Sequence, residues 1–266
     1  MSSNSRIRCS RVEYHDQDGN GMTVLVEQVM NASYGNYVWP SSLVLSNYVW
    51  HHRKRFSDKT LLEVGAGTCL SSLALAKSQP PSHAHLIMSD LAPILPVVKG
   101  CLSLNKMDWS DHPVATSRHW VQELPWGDLD AVSAVTRDVE QLWQTKIDFI
   151  LGSDTFYHPP DFEKLLMTIS IVIQRHNPQC RFITAYQERS SKRSLQYLLD
   201  KWSLCCKQIP IDDMWFDDSL FFPDDDSTDQ DAPADGGQIP SRLTTSYSSL
   251  SSVFLLEISA KPDQRA

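Results

Sequence analysis

Short apolar runs alternate along this chain with longer stretches in which apolar residues recur every three or four positions. Leu61, Leu62 and Val64 make one such run, the pattern of a strand buried on both faces. The residues from Leu70 onward, with Leu73, Leu75 and the alanines between, open a helix. The same alternation predicts strands at 84–89, 113–119, 147–151, 181–186, 205–211 and 253–258. Helices are predicted from Pro93 to about Asn105, within 120–145, at 161–175 and at 194–202. The helix at 161–175 has the clearest face, with Phe162, Leu165, Leu166 and Ile169 together. An amphipathic helix is expected over 41–52 around Leu43, Val44 and Tyr48, capped by Ser41 or Ser42. Residues 1–20 read as polar and loose at the start, and 23–29 as a strand or one arm of a hairpin.

Strands alternating with helices predict an α/β fold: a Rossmann-like, seven-stranded, mainly parallel sheet with helices on both faces. The last two strands are joined by a long segment without helical pattern and are expected to pair antiparallel at an edge. Residues 1–33 are read as an extension with a hairpin, and 34–266 as one domain with an acidic insertion at 211–240. No internal repeat is visible.

Charge sharpens this picture. The net charge of −8 is an uneven average, because residues 211–235 hold ten aspartates and no Lys or Arg, and the remainder carries +2. A nearly neutral body argues against a nucleic-acid surface. The segment itself reads either as a solvated insertion or as an acidic-aromatic surface for a basic protein. No apolar run reaches the ~20 residues of a membrane span, and Met-Ser-Ser-Asn-Ser-Arg at the start has no apolar core of a secretory signal. The six cysteines show neither a Cys-x-x-Cys pair nor zinc spacing, so reduced thiols and no metal are expected.

The candidate chemistry gathers where predicted strands end. Gly65 and Gly67 follow the first buried run and precede a helix, the arrangement in which backbone approaches a ligand across the strand's carboxyl end. Leu70 stands where Gly-x-Gly-x-x-Gly would need its third glycine, which weakens the case for a dinucleotide and a dehydrogenase. Asp90, at the end of the next strand, can grip both hydroxyls of a ribose or cap the helix near Pro93. Glu63 is read either as a ligand contact or as a structural hydrogen-bond partner. Trp39 and Trp126 can stack on a nucleobase or fill core and rim. Asp154 and Tyr157 follow the fourth sheet strand. They can hold a polar group against a cofactor, or cap a turn and pack at the rim. The run His51–Arg55 reads as a solvated helix end.

Together, Glu63-Val64-Gly65-Ala66-Gly67-Thr68, Asp90, Leu124-Pro125-Trp126-Gly127, Asp154-Thr155-Phe156-Tyr157 and Thr184-Ala185-Tyr186-Gln187-Glu188-Arg189-Ser190 resemble the seven-β-strand S-adenosylmethionine-dependent methyltransferases. More narrowly they are similar to the methyltransferase-like protein lysine methyltransferases, family 16. The resemblance covers about residues 34–210 and 250–259. It implies a protein N-methyltransferase that binds S-adenosyl-L-methionine and acts on lysine or arginine, with a histone or another basic protein as partner, in cytoplasm or nucleus. Gly65 and Gly67 would pass the methionine moiety, Asp90 would hold the ribose, and Trp126 would lie on adenine. Trp39 would close the pocket, Glu63 would belong to the cofactor side, and Asp154 and Tyr157 would line the substrate entrance. Cys69 departs from the pattern, standing where many relatives have a further glycine. A non-catalytic module using the same fold to dock a basic partner remains the alternative, with a small-molecule methyltransferase behind it.

Overall fold

The computed structural model describes residues 6–30, 34–78, 83–189, 194–210, 221–222, 241–242, 245–246 and 252–262. In chain order the elements are β1 (Arg6–His15), β2 (Gly21–Met30), α1 (Pro40–His51), α2 (Arg53–Phe56), β3 (Thr60–Val64) and α3 (Leu70–Ala76). Then come β4 (His85–Asp90), α4 (Leu95–Leu104), β5 (His119–Glu123), α5 (Leu129–Asp138), β6 (Phe149–Ser153), α6 (Pro159–Ile171), β7 (Arg181–Gln187), α7 (Gln196–Lys201) and β8 (Leu204–Ile209). The two-residue strands β9 (Phe221–Phe222), β10 (Ser241–Arg242) and β11 (Thr245–Ser246) precede β12 (Val253–Ala260). Most of the acidic segment 211–240 lies outside the described residues.

The main sheet runs β5-β4-β3-β6-β7-β12-β8. The first five are parallel, while β12 is antiparallel to both β7 and β8. The antiparallel strand therefore enters one place in from the edge, and β8 closes the sheet. All five residues of β3 are buried, because helices cover both faces. Alternation along the strands sends Leu61, Leu86 and Ile183 into one apolar cluster and Leu62, Ile87 and Phe182 into the other. The order reverses between β3 and β6, which leaves a crevice above their carboxyl ends, the usual ligand site of an open α/β sheet.

Several boundaries differ from expectation for local reasons. The third parallel strand is His119–Glu123, later than the predicted 113–119; Pro113 has no N–H to give, and it is Trp120 and Val121 that are buried. The helix expected to begin at Pro93 begins at Leu95, with Pro96 in its first turn. Helix α1 begins at Pro40, so Ser41 and Ser42 lie inside it and cap nothing; Trp39 is its N-cap residue.

Helix α1 also departs from amphipathic expectation, since every residue from Ser41 to Trp50 is buried. The cause is the hairpin of the N-terminal extension. Strands β1 and β2 form a ten-pair antiparallel hairpin, whose Val12, Tyr14, Val24 and Val26 join the core cluster of α1 and α3. Polar groups fasten it. The Tyr14 hydroxyl donates to Ser46 Oγ at 2.8 Å. Asn105 of the turn after α4 accepts from Leu25 N–H at 3.0 Å and donates to Leu25 O at 2.6 Å, imitating a strand partner. Arg53 donates to Asp16 Oδ2 at 2.6 Å and lies 4.1 Å from the Trp50 ring centroid, and Arg55 donates to Tyr48 Oη and Glu257. In the basic run, His52, Lys54 and Arg55 are exposed as a solvated helix end requires, while Arg53 and Arg55 also reach the hairpin and β12.

Candidate functional site at the carboxyl ends of the parallel strands

The carboxyl ends of β3, β4 and β6 open into a cavity of about 710 Å3, within the ~300–1,000 Å3 usual for small-molecule sites. Its floor is the turn after β3. Gly65 and Gly67 both have left-handed backbone, φ +60° and +52°. A Cβ on Gly65 would come within 2.9 Å of Trp126 Cζ2, and one on Gly67 within 2.8 Å of the Gly35 carbonyl oxygen. The glycines are required because an indole and a backbone carbonyl press on them. Cys69 makes the last bend of the turn with φ +47° despite its side chain. Its thiol is buried in the core, and burial raises its pKa. The turn therefore closes without a glycine there, and the departure does not obstruct the cavity.

Asp90 lines the cavity and holds the turn. Its Oδ2 accepts from Gly67 N–H at 2.8 Å and its Oδ1 from Leu91 N–H at 2.7 Å. It does not cap α4, whose N-cap is Ile94. Burial raises its pKa against the pull of these two hydrogen bonds. An ionised carboxylate has about four lone-pair directions, so acceptor capacity remains for a pair of ligand hydroxyls.

Glu63 takes the structural one of its two readings. It is 1% exposed, and its Oε2 accepts from Ser72 N–H at 3.2 Å and from Ser72 Oγ at 2.5 Å. It is not among the residues facing the cavity; it straps α3 to β3 from beneath. Burial pushes its carboxyl pKa up to about 7.

Trp126 lies over Gly65 and forms the opposite wall. Its loop is pinned on both sides, by Leu124 N–H donating to Asp90 O at 3.0 Å and Gly127 N–H donating to Thr168 Oγ1 at 2.8 Å. Trp39 lines the cavity from the start of α1, and the neighbouring Ser42 hydroxyl is hydrogen-bonded to Ser153 Oγ at the end of β6, at 3.0 Å.

The motif after β6 faces the same space. Asp154 has φ +54° and is 7% exposed. Its N–H donates to Ala185 O at 2.7 Å, so a β7 carbonyl holds it in a conformation that costs a non-glycine residue of order 1–3 kcal/mol. It caps no turn before Pro159; both of its oxygens are taken by the Arg189 guanidinium. Tyr157 stands at the mouth, 38% exposed. Beside it Asp161 accepts from Lys164 at 2.9 Å and lies 2.8 Å from His158 Nδ1.

Two lining residues were passed over in the sequence. One is Arg189, the second residue after β7. The other is Thr155, inside the motif itself. It is 2% exposed, and among the described residues its Oγ1 has no hydrogen-bond partner. A buried hydroxyl without a partner in a cavity wall is a place for a ligand atom. The polar set suits a ribosyl ligand: a glycine turn, a carboxylate with spare acceptor capacity, an indole wall and an unspent hydroxyl. No group of three or more His, Cys, Asp or Glu side chains among the described residues could hold a metal ion. No described helix is long and apolar enough to cross a membrane.

Comparison with known proteins adds a second line of observation. Residues 18–200 match the family described as lysine methyltransferase. Histone-arginine methyltransferase METTL23 of Xenopus laevis is 40% identical over 195 residues, covering 73% of this chain and 75% of that protein. METTL23 of Mus musculus, with the same description, is 35% identical over 194 residues, 72% of this chain and 68% of that one. Protein-lysine methyltransferase METTL21E of Mus musculus is 35% identical over 138 residues, about half of each chain at 51% and 50%.

Proposed function

The chain belongs to the lysine methyltransferase family, and from that premise we propose that it transfers a methyl group from S-adenosyl-L-methionine to a side-chain nitrogen of a protein, with a histone arginine as the leading acceptor. One juxtaposition carries this reading. The Gly65–Gly67 turn, Asp90 and Trp126 share a single cavity with Asp154 and Tyr157, so a cofactor wall and an acceptor mouth meet.

When bound, S-adenosylmethionine would supply a methyl group on a sulfonium; the acceptor nitrogen would bond to that carbon and give up one N–H proton, the C–S bond breaking to leave a neutral thioether. The rest falls to this chain's residues. Asp90 accepts the ribose hydroxyls while keeping Gly67 in place. The Gly65–Gly67 backbone would pass the methionine moiety, Trp126 would cover the adenine, and Trp39 would close the pocket against water. Thr155 offers its hydroxyl to a ligand polar atom. Asp154 orients the acceptor nitrogen by charge-assisted hydrogen bonds, and Tyr157 adds a second contact at the mouth. A guanidinium suits Asp154 well, since its planar fork matches both carboxylate oxygens. The METTL23 relatives are named for histone arginine, which agrees with that fit and would make the nucleus the site of action.

The test is incubation of the full chain with radiolabelled S-adenosylmethionine and cell extract, followed by mass spectrometry of labelled bands. Label on an arginine or lysine of a protein is the expected outcome. Cofactor bound at saturation with no protein labelled would overturn the assignment in favour of a binding module.

A further inference from the structure

Arg189 lies just past β7, and the reaction described above leaves it without a task. Its Nη1–H donates to Asp154 Oδ1 at 2.9 Å and its Nη2–H to Asp154 Oδ2 at 2.5 Å. Fork meets fork, and both oxygens of the carboxylate are engaged. The guanidinium carbon is 5.9 Å from the Trp39 ring centroid, at the outer range of a cation–π contact. Trp39, Asp154 and Arg189 all line the cavity that holds the glycine turn and Tyr157. The aspartate side chain is buried, whereas the arginine keeps 32% of its surface in solvent.

Asp154 has anchors besides Arg189. Backbone of β7 fixes it, through its own N–H to Ala185 O at 2.7 Å and through Gln187 N–H to Oδ1 at 3.4 Å. The carboxylate would therefore stay put if the guanidinium swung outward, and an arginine that is one-third exposed has somewhere to go.

We propose that Arg189 is an internal occupant of the acceptor subsite: its guanidinium sits on Asp154 as a substrate arginine would, and an acceptor must displace it. The inference rests on the reading of Asp154 as the acceptor-side carboxylate. The subsite that Arg189 occupies also selects. Exchanging one guanidinium for another conserves the charge and both hydrogen bonds. An ammonium is a compact point donor that does not match both oxygens as a planar fork does, and with it on Oδ2 the buried Oδ1 would keep only the long 3.4 Å bond from Gln187 N–H. The contact lowers affinity for every acceptor by the same factor, and the preference for arginine over lysine lies in the fit of each cation to the vacated Asp154.

Two measurements test this. In the free full chain, the Arg189 Nε–H resonance is assigned by its loss in Arg189→Lys. Methylguanidinium is then titrated in, with the strand amide spectrum confirming that the fold persists. The resonance should move from its position in the free chain as Arg189 leaves Asp154, and n-butylammonium should be at least roughly tenfold less effective. Failure of methylguanidinium to release Arg189, or equal release by both cations, overturns the proposal. In steady-state turnover, Arg189→Gln should lower KM for an arginine-containing peptide roughly tenfold, the factor that removal of about 1.4 kcal/mol of competition gives, and should lower KM more than it changes kcat. A raised KM would make Arg189 a support for Asp154 and refute internal occupancy. If the wild-type chain methylates no protein while methylguanidinium still displaces Arg189, the methyltransferase reading falls, and the guanidinium subsite stands as a docking point for an arginine side chain.

Discussion

Glu63 offers the sharpest physical test of the site's foundation. Its carboxyl is buried beneath the glycine turn, and burial raises its pKa from 4.5 to about 7 in the folded chain. The folded state therefore binds this proton more tightly than the unfolded state does. The stabilisation is complete below about pH 4.5, drains away as pH rises toward 7, and is gone above it. Each pKa unit is worth about 1.4 kcal/mol, so the whole swing is on the order of 3 kcal/mol. Other groups push the opposite way. Burial lowers the pKa values of His52, His85, His119 and His176, so their contribution grows as pH rises. A single pH–stability curve would blend these trends, and a difference between two proteins separates them. Glu63→Gln keeps an acceptor for Ser72 and cannot ionise. Urea unfolding of wild type and Glu63→Gln at pH 5, 6, 7 and 8 should give a stability difference that moves in favour of the variant by about 2–3 kcal/mol across that range. A difference that stays flat within about 0.5 kcal/mol would mean that Glu63 does not titrate in this window, and the account of a buried, proton-holding strap under the turn would be wrong.

Division of labour across the cavity predicts that Asp90→Ala weakens S-adenosylmethionine binding by calorimetry far more than it slows the bound complex, whereas Asp154→Ala does the reverse; equal effects on Kd and kcat in both variants would count against separate roles. Thr155→Val removes a hydroxyl that has no partner among the described residues, so thermal stability should hold or rise by up to ~1 kcal/mol while cofactor affinity drops, the typical worth of one hydrogen bond. Unchanged affinity would remove Thr155 from the ligand's contacts. Asn105→Leu deletes the side-chain hydrogen bonds that fasten β2 to α4, and should cost about 2–4 kcal/mol by chemical unfolding because Leu25 backbone groups lose their partner. A cost below about 0.5 kcal/mol would mean that apolar contacts alone hold the hairpin.

The amino-acid order by itself determined the middle of the molecule. The apolar run Leu61, Leu62 and Val64 of β3, two glycines after it, Asp90 at the end of the next strand and the apolar face of α6 are local signals. Each reports what one short stretch needs from its surroundings, burial on two faces or freedom to turn left-handed. Their co-location also followed, because consecutive parallel strands joined by helices bring their carboxyl ends to one rim. What tertiary structure alone decided were relations between distant residues. Strand β1 hides behind arginines and a polar face, and only docking on α1 shows that Ser10, Val12 and Tyr14 point inward. Helix α1 has no polar face because the hairpin covers the one that would have met water. Strand β12 enters between β7 and β8 rather than beyond them, a choice made by pairing partners and not by its own alternation. The pairing of Asp154 with Arg189 spans 35 positions and has no periodic signature. Periodicity encodes which side of an element is buried; it is silent on which partner buries it, and the chemistry of this cavity turns on one such partner.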